Sequence, residues 1–171
     1  LRRASNISKF AVAAALEALG DQKPASLGII MCLMNGCVAF TNRFYNEVID
    51  SPALASPILF PETVFNAPAS HIAACLGVSG QVTTLIGESN IINEALRMAS
   101  GWMQSGLVEQ CLVIGAEEAD WLSTEAVGYY DKRLVVSEGA AALLLALDGD
   151  GPRIEQVEGP VAYHSHRERK Q

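Results

Sequence analysis

The 171-residue sequence has 12 basic and 19 acidic side chains, a formal net charge of −7, and 50% hydrophobic residues. The hydrophobic share excludes a disordered chain, and the acidic balance argues against a nucleic-acid-binding protein, because phosphate contacts need a basic surface. No uninterrupted apolar run reaches the roughly 18 residues that span a bilayer, so we expect no membrane segment. The length suits one domain.

The first part of the chain predicts a helix that Ser5 or Asn6 caps and that ends at Gly20. A continuous apolar run then indicates a strand covered on both faces, and a short helix follows it. Three prolines after that predict an extended segment, since proline removes backbone donors and fixes φ. In chain order, these elements are expected at residues 5–19, 27–34, 42–49 and 51–61.

The second part of the chain alternates helices and strands. We expect a short helix that ends at Gly77, a strand, a long helix that is apolar on nearly all sides and therefore buried, and a further strand. The last strand has a break at Gly139. The two helices are expected at residues 67–76 and 90–104. The strands are expected at 82–86, at 110–114, and at 134–136 with 140–147. This alternation predicts an α/β fold with helices covering both faces of a sheet.

Cysteine and histidine residues give no metal motif. The four cysteines lack Cys-x-x-Cys or zinc spacing and stand among apolar residues, which predicts buried free thiols in a reducing compartment: Cys32, Cys37, Cys75 and Cys111. His71, within a predicted helix, is interpreted as a core or interface histidine or as a catalytic one. His164 and His166 lie in the charged segment 164–171. They are interpreted either as part of a solvated chain end or as a metal-binding pair. We expect no metal and no cofactor.

Two junctions at strand ends are candidate sites. Strand 82–86 runs through Gly87 and Glu88 into Ser89 and a helix, whose N-terminus favours an anion. Ser89 is therefore either a nucleophile beside oxyanion donors or a helix cap, and no histidine lies nearby in sequence to act as its base. Glu117 and Glu118 follow another strand. They either take part in acid–base chemistry or have a structural role, in which one carboxylate is hydrogen-bonded and the other is solvated.

Several segments together resemble β-ketoacyl-acyl carrier protein synthases. They occur in family order: Leu1-Arg2-Arg3, Ser56-Pro57-Ile58-Leu59-Phe60-Pro61-Glu62-Thr63-Val64-Phe65-Asn66, Ala69-Ser70-His71-Ile72, Gly115-Ala116-Glu117 and Ser137-Glu138-Gly139-Ala140. The resemblance implies a thiolase-like layered α/β fold with a mixed sheet. Residues 1–163 then form a synthase-like N-terminal domain without its first strands, residues 164–171 form a charged terminal segment, and the C-terminal half is absent.

The departures from the family pattern concern the nucleophile. Counting back from Gly115-Ala116-Glu117 without gaps places the family's cysteine on Ser89, and the two catalytic histidines belong to the absent half. The resemblance therefore implies a non-condensing, chain-length-factor-type subunit of fatty-acid or polyketide biosynthesis that shapes an acyl tunnel. Two alternatives stay open: a condensing enzyme or acyl transferase that uses Ser89 with histidines from missing sequence, and an interaction domain without acyl chemistry.

The resemblance also implies partners. Strand 82–86 is expected at a two-fold interface, in a homodimer or in a heterodimer with an active ketosynthase. Acyl carrier protein is a further expected partner, bound weakly because both proteins are acidic. We expect neither a nucleic acid nor a membrane as partner, and a cytoplasmic location. The chain opens with Leu1 rather than Met, so its first residue need not be the native start.

Overall fold

The computed structural model describes residues 2–88 and 90–159. The helices and strands of these residues follow one another as α1 (Asn6–Leu19), β1 (Leu27–Leu33), α2 (Val38–Asp50), α3 (Ala67–Leu76), β2 (Val82–Ile86), α4 (Ile91–Gln104), β3 (Gln110–Glu117), α5 (Trp121–Tyr130) and β4 (Gly139–Ala146). Two short 3₁₀ turns, Pro52–Leu54 and Phe60–Glu62, separate α2 from α3. None of the helices in the described ranges has both the length and the hydropathy that crossing a membrane requires.

One mixed sheet organises the described residues. Its strand order is β2-β1-β3-β4, with β1 parallel to both neighbours and β4 antiparallel to β3. In the register, Ile30 of β1 lies between Thr83 of β2 and Val113 of β3. All seven residues of β1 are buried, as a central strand with both faces covered requires. The predicted α/β fold, with helices on both faces of the sheet, is confirmed.

The two faces of the sheet carry different helices. Helices α1 and α3 pack on one face, where Ile7, Ala11 and Ala15 join strand residues in the larger apolar cluster. Helix α4 covers the other face through Ala95, Ala99 and Met103. Their alanines add little bulk between helix and strand, so these helices lie close to the sheet. Ser5 accepts a hydrogen bond from the backbone N–H of Ser8 and so caps α1, as predicted.

Two predictions about burial are wrong. Helix α4 is not buried on all sides, because its three fully buried residues form a single stripe spaced four residues apart and Met98 on another side is exposed. Its apolar residues outnumber the positions that one sheet face can cover. Cys75 is exposed, unlike the other three cysteines, because its side of α3 does not face the sheet.

Three predictions about elements also need correction. Helix α2 begins four residues earlier than expected and has no fully buried residue. The segment expected to be extended forms 3₁₀ turns at Pro52 and Pro61, since proline fits the first positions of a helical turn. Residues 134–136 form no strand, because no neighbouring strand pairs with them, and Val135 is 92% exposed. Helix α5 was not predicted.

Candidate functional site

An open cleft of about 480 Å³ lies where β1, β2 and β3 end and β4 begins. Parallel strands place their carboxyl ends at one edge of a sheet, which is where α/β proteins commonly bind ligands. The described residues that line the cleft come from these strand ends and from the start of α4: Cys32, Leu33, Met34, Gly87, Glu88, Ile91, Ile92, Gly115, Ala116, Glu117, Ser137, Glu138, Gly139, Ala140 and Ala141.

The cleft brings together segments that are far apart in sequence. Residues 87–88 follow β2, residues 115–117 end β3, and residues 137–140 open β4. Two of these are segments that resemble the synthase family, and the third leads directly to Ser89. These strand ends are also where the sequence analysis placed its candidate sites, which stay predictions.

Glu117 holds the loop that forms one wall of the cleft. Its carboxylate accepts hydrogen bonds from the backbone N–H groups of Met34 and Asn35, the second at 3.1 Å from nitrogen to Oε2. The loop then turns at Gly36, whose φ of +70° suits glycine. A Cβ there would lie 2.5 Å from the ring of Phe65, so a side chain would displace that ring. Glu117 thus positions the backbone of the loop that forms this wall of the cleft.

Glu118 points to a different place and is 2% exposed. Its two oxygens accept from the backbone N–H of Ile7 at 3.3 Å and of Ala39 at 2.9 Å, so one carboxylate caps the starts of α1 and α2. Burial raises the pKa of Glu118, while both hydrogen bonds oppose the rise. These contacts support the structural interpretation of the pair, with the difference that both carboxylates are hydrogen-bonded and neither is simply solvated.

Ser89 lies outside the described residues, and so do His164 and His166. Next to Ser89 in the chain, Gly87 and Glu88 line the cleft, and Gly87 donates its N–H to the carbonyl of Leu33 at 3.0 Å. Helix α4 starts at Ile91, whose N–H donates to the carbonyl of Glu88 at 2.9 Å. Whether Ser89 is a cap or a nucleophile stays a prediction.

The cysteine in the cleft is held in its unreactive form. Cys32 is the one thiol among the described lining residues, and burial raises its pKa to about 11. Burial also raises the pKa of Cys37 and of Cys111 to about 12. Because the thiolate is the nucleophile, a thiol with such a pKa reacts slowly near neutral pH. Within the described ranges, no group of three His, Cys, Asp or Glu side chains could hold a metal ion.

His71 takes part in a network outside the cleft. Its Nε2 lies 2.7 Å from Oε1 of Glu62, and Oε2 of Glu62 accepts from the backbone N–H of Ser5 at 3.2 Å. The network ties α3 to the second 3₁₀ turn and to the start of α1. His71 is therefore a satisfied histidine between packed elements, the first of the two interpretations.

Several lining residues were not predicted as site residues from the sequence. Met34, Ile91, Ile92 and Glu138 all face the cleft. Their positions in the chain were the available signal. Met34 directly follows β1, Ile91 and Ile92 begin α4, and Glu138 precedes β4, and these positions meet at one edge of the sheet. The antiparallel placement of β4, which brings Glu138 to this edge, could not be read from the sequence pattern.

The fold is similar to solved ketosynthase structures. The ishigamide ketosynthase/chain length factor matches with a TM-score of 0.71 and 20% identity over 88% of this chain and 46% of that chain. A ketosynthase in complex with its chain length factor from Xenorhabdus doucetiae matches with a TM-score of 0.66 and 18% identity over 87% and 60%. A β-ketoacyl synthase from Burkholderia phymatum STM815 matches with a TM-score of 0.65 and 20% identity over 85% and 43%.

The chain has the thiolase-like fold of the ketosynthases. It spans between 43% and 60% of the length of these three chains. No protein-family model matches the sequence, and no curated protein matches it.

Proposed function

We propose that this chain is part of a β-ketoacyl-synthase-like protein of fatty-acid or polyketide biosynthesis, and that it is a non-condensing, chain-length-factor-type subunit that shapes an acyl tunnel. Its fold is that of ketosynthases, and two of the similar structures contain a ketosynthase together with a chain length factor. The cleft lies at the sheet edge where two of the five segments similar to the synthase family meet, namely residues 115–117 and 137–140.

The observation that carries the proposal is that the described residues of the cleft include no activated thiol. The family register assigns the nucleophile position to Ser89, and a serine hydroxyl has a far higher pKa than a thiol. The cleft cysteine, Cys32, is kept protonated by burial, which raises its pKa to about 11. No histidine is among the described lining residues to serve as a general base.

Glu88 gives further support for a non-condensing role. It precedes Ser89 in the chain and lines the cleft. A carboxylate beside a nucleophile raises the pKa of that nucleophile and opposes a developing oxyanion. We therefore propose that Glu88 disfavours acyl transfer to Ser89.

The partner of the proposed subunit is an active ketosynthase or a second copy of this protein. Strand β2 is an edge strand of the described sheet, and Ile86 is 54% exposed. An open strand edge with apolar side chains favours pairing with another strand. We expect a dimer when the full-length protein is sedimented alone or after co-expression with a ketosynthase. A stable monomer in both samples would refute the partner proposal.

Acyl carrier protein is the second proposed partner, with weak binding. The net charge of −7 gives no long-range attraction to another acidic protein. We propose that Arg2, Arg3 and Arg43 form a local basic patch whose attraction is small, since Arg43 also pairs with Glu47 at 3.5 Å. Titration calorimetry of the full-length protein with an acyl carrier protein should show weak or no binding, and tight, salt-sensitive binding would contradict this expectation.

The decisive experiment is intact-mass spectrometry of the full-length protein after incubation with an acyl thioester. We expect no adduct on the wild type or on Ser89→Ala. We expect a thioester on Ser89→Cys, because a thiol ionises far more readily than a hydroxyl even beside Glu88, and a helix N-terminus lowers the pKa of a thiol further. Ser105→Cys is the matched control, since Ser105 caps the opposite, C-terminal end of α4 and is exposed.

Each other result selects one of the alternatives. An acyl ester on wild-type Ser89 would establish the condensing enzyme or acyl transferase and would refute the proposed function. Equal labelling of Ser89→Cys and Ser105→Cys would show that no oxyanion site remains, in favour of an interaction domain without acyl chemistry.

A further inference from the structure

We propose that Asn35 is a site of spontaneous modification, in which its side-chain amide is lost, residue 35 becomes isoaspartate or aspartate, and the loop in the cleft wall is released from Glu117. The inference concerns the chemistry of the chain itself and does not depend on the proposed function. It rests on the residue that follows Asn35, on the hydrogen bonds around it and on its exposure.

Asn35 is the one asparagine of the seven in the sequence that precedes a glycine. An asparagine side chain reacts with the backbone nitrogen of the next residue, and Gly36 leaves its nitrogen unhindered because glycine has no Cβ. Asn35 is exposed and lies between β1 and α2, so water reaches its side chain. The hydrogen bonds of Asn35 to the described residues involve its backbone N–H and not its side chain.

The backbone N–H that follows each asparagine distinguishes Asn35 from those at helix starts. After Asn66, the N–H of Ala67 donates to the carbonyl of Val64 at 3.0 Å. Two other helix starts have the same feature, namely Ile7 after Asn6 and Ile91 after Asn90. The N–H of Gly36 has no acceptor among the described residues, so its nitrogen is free to attack. The remaining asparagines lie inside helices, namely Asn42, Asn46 and Asn93.

The reaction closes a ring between two neighbouring residues. The Gly36 nitrogen loses its proton and forms a bond to Cγ of Asn35, the bond from Cγ to Nδ2 breaks, and ammonia leaves with that proton. Water then opens the cyclic succinimide, giving its hydroxyl to one carbonyl carbon and its other proton to the ring nitrogen. Opening at the backbone carbonyl gives isoaspartate, in which the chain runs through Cγ, and opening at Cγ gives aspartate.

Either product places a new carboxylate beside that of Glu117. Glu117 accepts the backbone N–H of Asn35 at 3.1 Å and that of Met34 as well. In isoaspartate the new carboxylate is bonded to the same Cα as this N–H, so two like charges lie close together and repel each other. The repulsion weakens the hydrogen bonds by which Glu117 holds the loop, and Met34, which lines the cleft, loses its support.

Phe65 slows the closure of the ring. Gly36 is buried, and a Cβ on it would lie 2.5 Å from the ring of Phe65, so this ring restrains the residue that attacks. Turning the Asn35 side chain away from a preferred rotamer towards that nitrogen slows the reaction by about ten-fold at most. We expect the folded protein to react within about ten-fold of the rate of a peptide of residues 31–40, and Phe65→Ala to remove most of this difference.

The test incubates the full-length protein at physiological temperature and pH and follows it by peptide mass spectrometry. Loss of the amide appears as the small mass gain from replacing NH2 by OH, and an isoaspartyl-specific methyltransferase with a labelled methyl donor measures isoaspartate. We expect both signals at residue 35, at least about ten-fold faster than at any other asparagine. Asn35→Gln should give neither signal there, because its longer side chain closes a larger ring far more slowly.

Ala67→Gly is the matched control for the role of the free N–H. It creates a second asparagine–glycine pair at Asn66, which is exposed like Asn35, but there the next N–H donates to the carbonyl of Val64. Asn66 in this variant should react at least about ten-fold more slowly than Asn35. Equal rates at the two positions, or no isoaspartate at residue 35 in the aged wild type, would overturn the proposed modification site.

Amide hydrogen exchange measures the consequence for the loop. In the aged wild type and in Asn35→Asp, the amides of residues 34 and 35 should exchange faster than in fresh protein. Glu117→Gln should give the same faster exchange without ageing, and Asn35→Gln should keep its protection through the same incubation. If aged protein that carries isoaspartate keeps the exchange rates of fresh protein, the release of the loop from Glu117 is wrong.

Discussion

Replacing Glu118 tests whether one buried carboxylate holds the starts of two helices. The side chain accepts from the backbone N–H of Ile7 in α1 and of Ala39 in α2. A hydrogen bond to a charged group contributes about 1.5–3 kcal/mol, so the pair contributes about 3–6 kcal/mol before the cost of burying the carboxylate. That cost is substantial, because burial is what raises the pKa of Glu118. We expect Glu118→Ala to lower the free energy of unfolding by about 2–4 kcal/mol.

Two further variants make the Glu118 test specific. Glu118→Gln keeps one acceptor oxygen and should lose about half as much stability as Glu118→Ala. Glu109→Ala is the matched control, because the Glu109 carboxylate also accepts a backbone N–H, that of Ala25 at 2.7 Å, but at an exposed position. It should cost about 1 kcal/mol or less.

The assay combines urea denaturation with amide hydrogen exchange. Urea denaturation followed by circular dichroism gives the free energies of unfolding. Hydrogen exchange should show faster exchange of the Ile7 and Ala39 amides in Glu118→Ala, ahead of other amides in the same helices. If Glu118→Ala loses no more stability than Glu109→Ala, and both amides keep their protection, the double-capping argument is wrong.

Three other predictions follow from burial and backbone geometry. A thiol reagent at neutral pH should label the exposed Cys75 at once and should label the buried Cys32, Cys37 and Cys111 only after unfolding. If mass spectrometry shows stoichiometric labelling of all four cysteines in the native state, this prediction is wrong. Because burial raises the pKa of Cys32 from 9.0 to about 11, its stabilising contribution is complete below pH 9.0 and is lost as the pH rises towards 11. In denaturant titrations across this pH window, the free energy of unfolding should fall by about 3 kcal/mol less in Cys32→Ala than in the wild type. Equal decreases in the two proteins would show that Cys32 does not cause this pH dependence. Gly36→Ala should lower the melting temperature, since it needs a positive φ and meets the ring of Phe65, whereas Gly149→Ala, with open space around it, should not.

The parts of the fold that the sequence predicted well have local signals. Helix α3 begins and ends at the expected residues, because Pro68 suits a first helical turn and Gly77 takes the left-handed conformation that ends the helix. Strand β2 also has its expected bounds, between Gly80 and Gly87.

The parts that were missed depend on tertiary structure. Helix α5 has a single fully buried residue, Ser123, so its apolar side chains form no stripe for a periodicity argument. Its one local signal was the capping box of Asp120 and Ser123. The partners of Glu118 are backbone groups far away in sequence, and no sequence pattern reveals which amides a carboxylate meets.

The position of β1 in the sheet constrains how the chain can be made. Strand β1 pairs on one side with β2 and on the other with β3, and both are synthesised long after it. Any nascent chain that ends before Gln110 therefore has a wholly apolar strand with one unpaired edge, whatever its helices do. An unpaired apolar edge of this kind favours aggregation, and completing β3 during translation removes it.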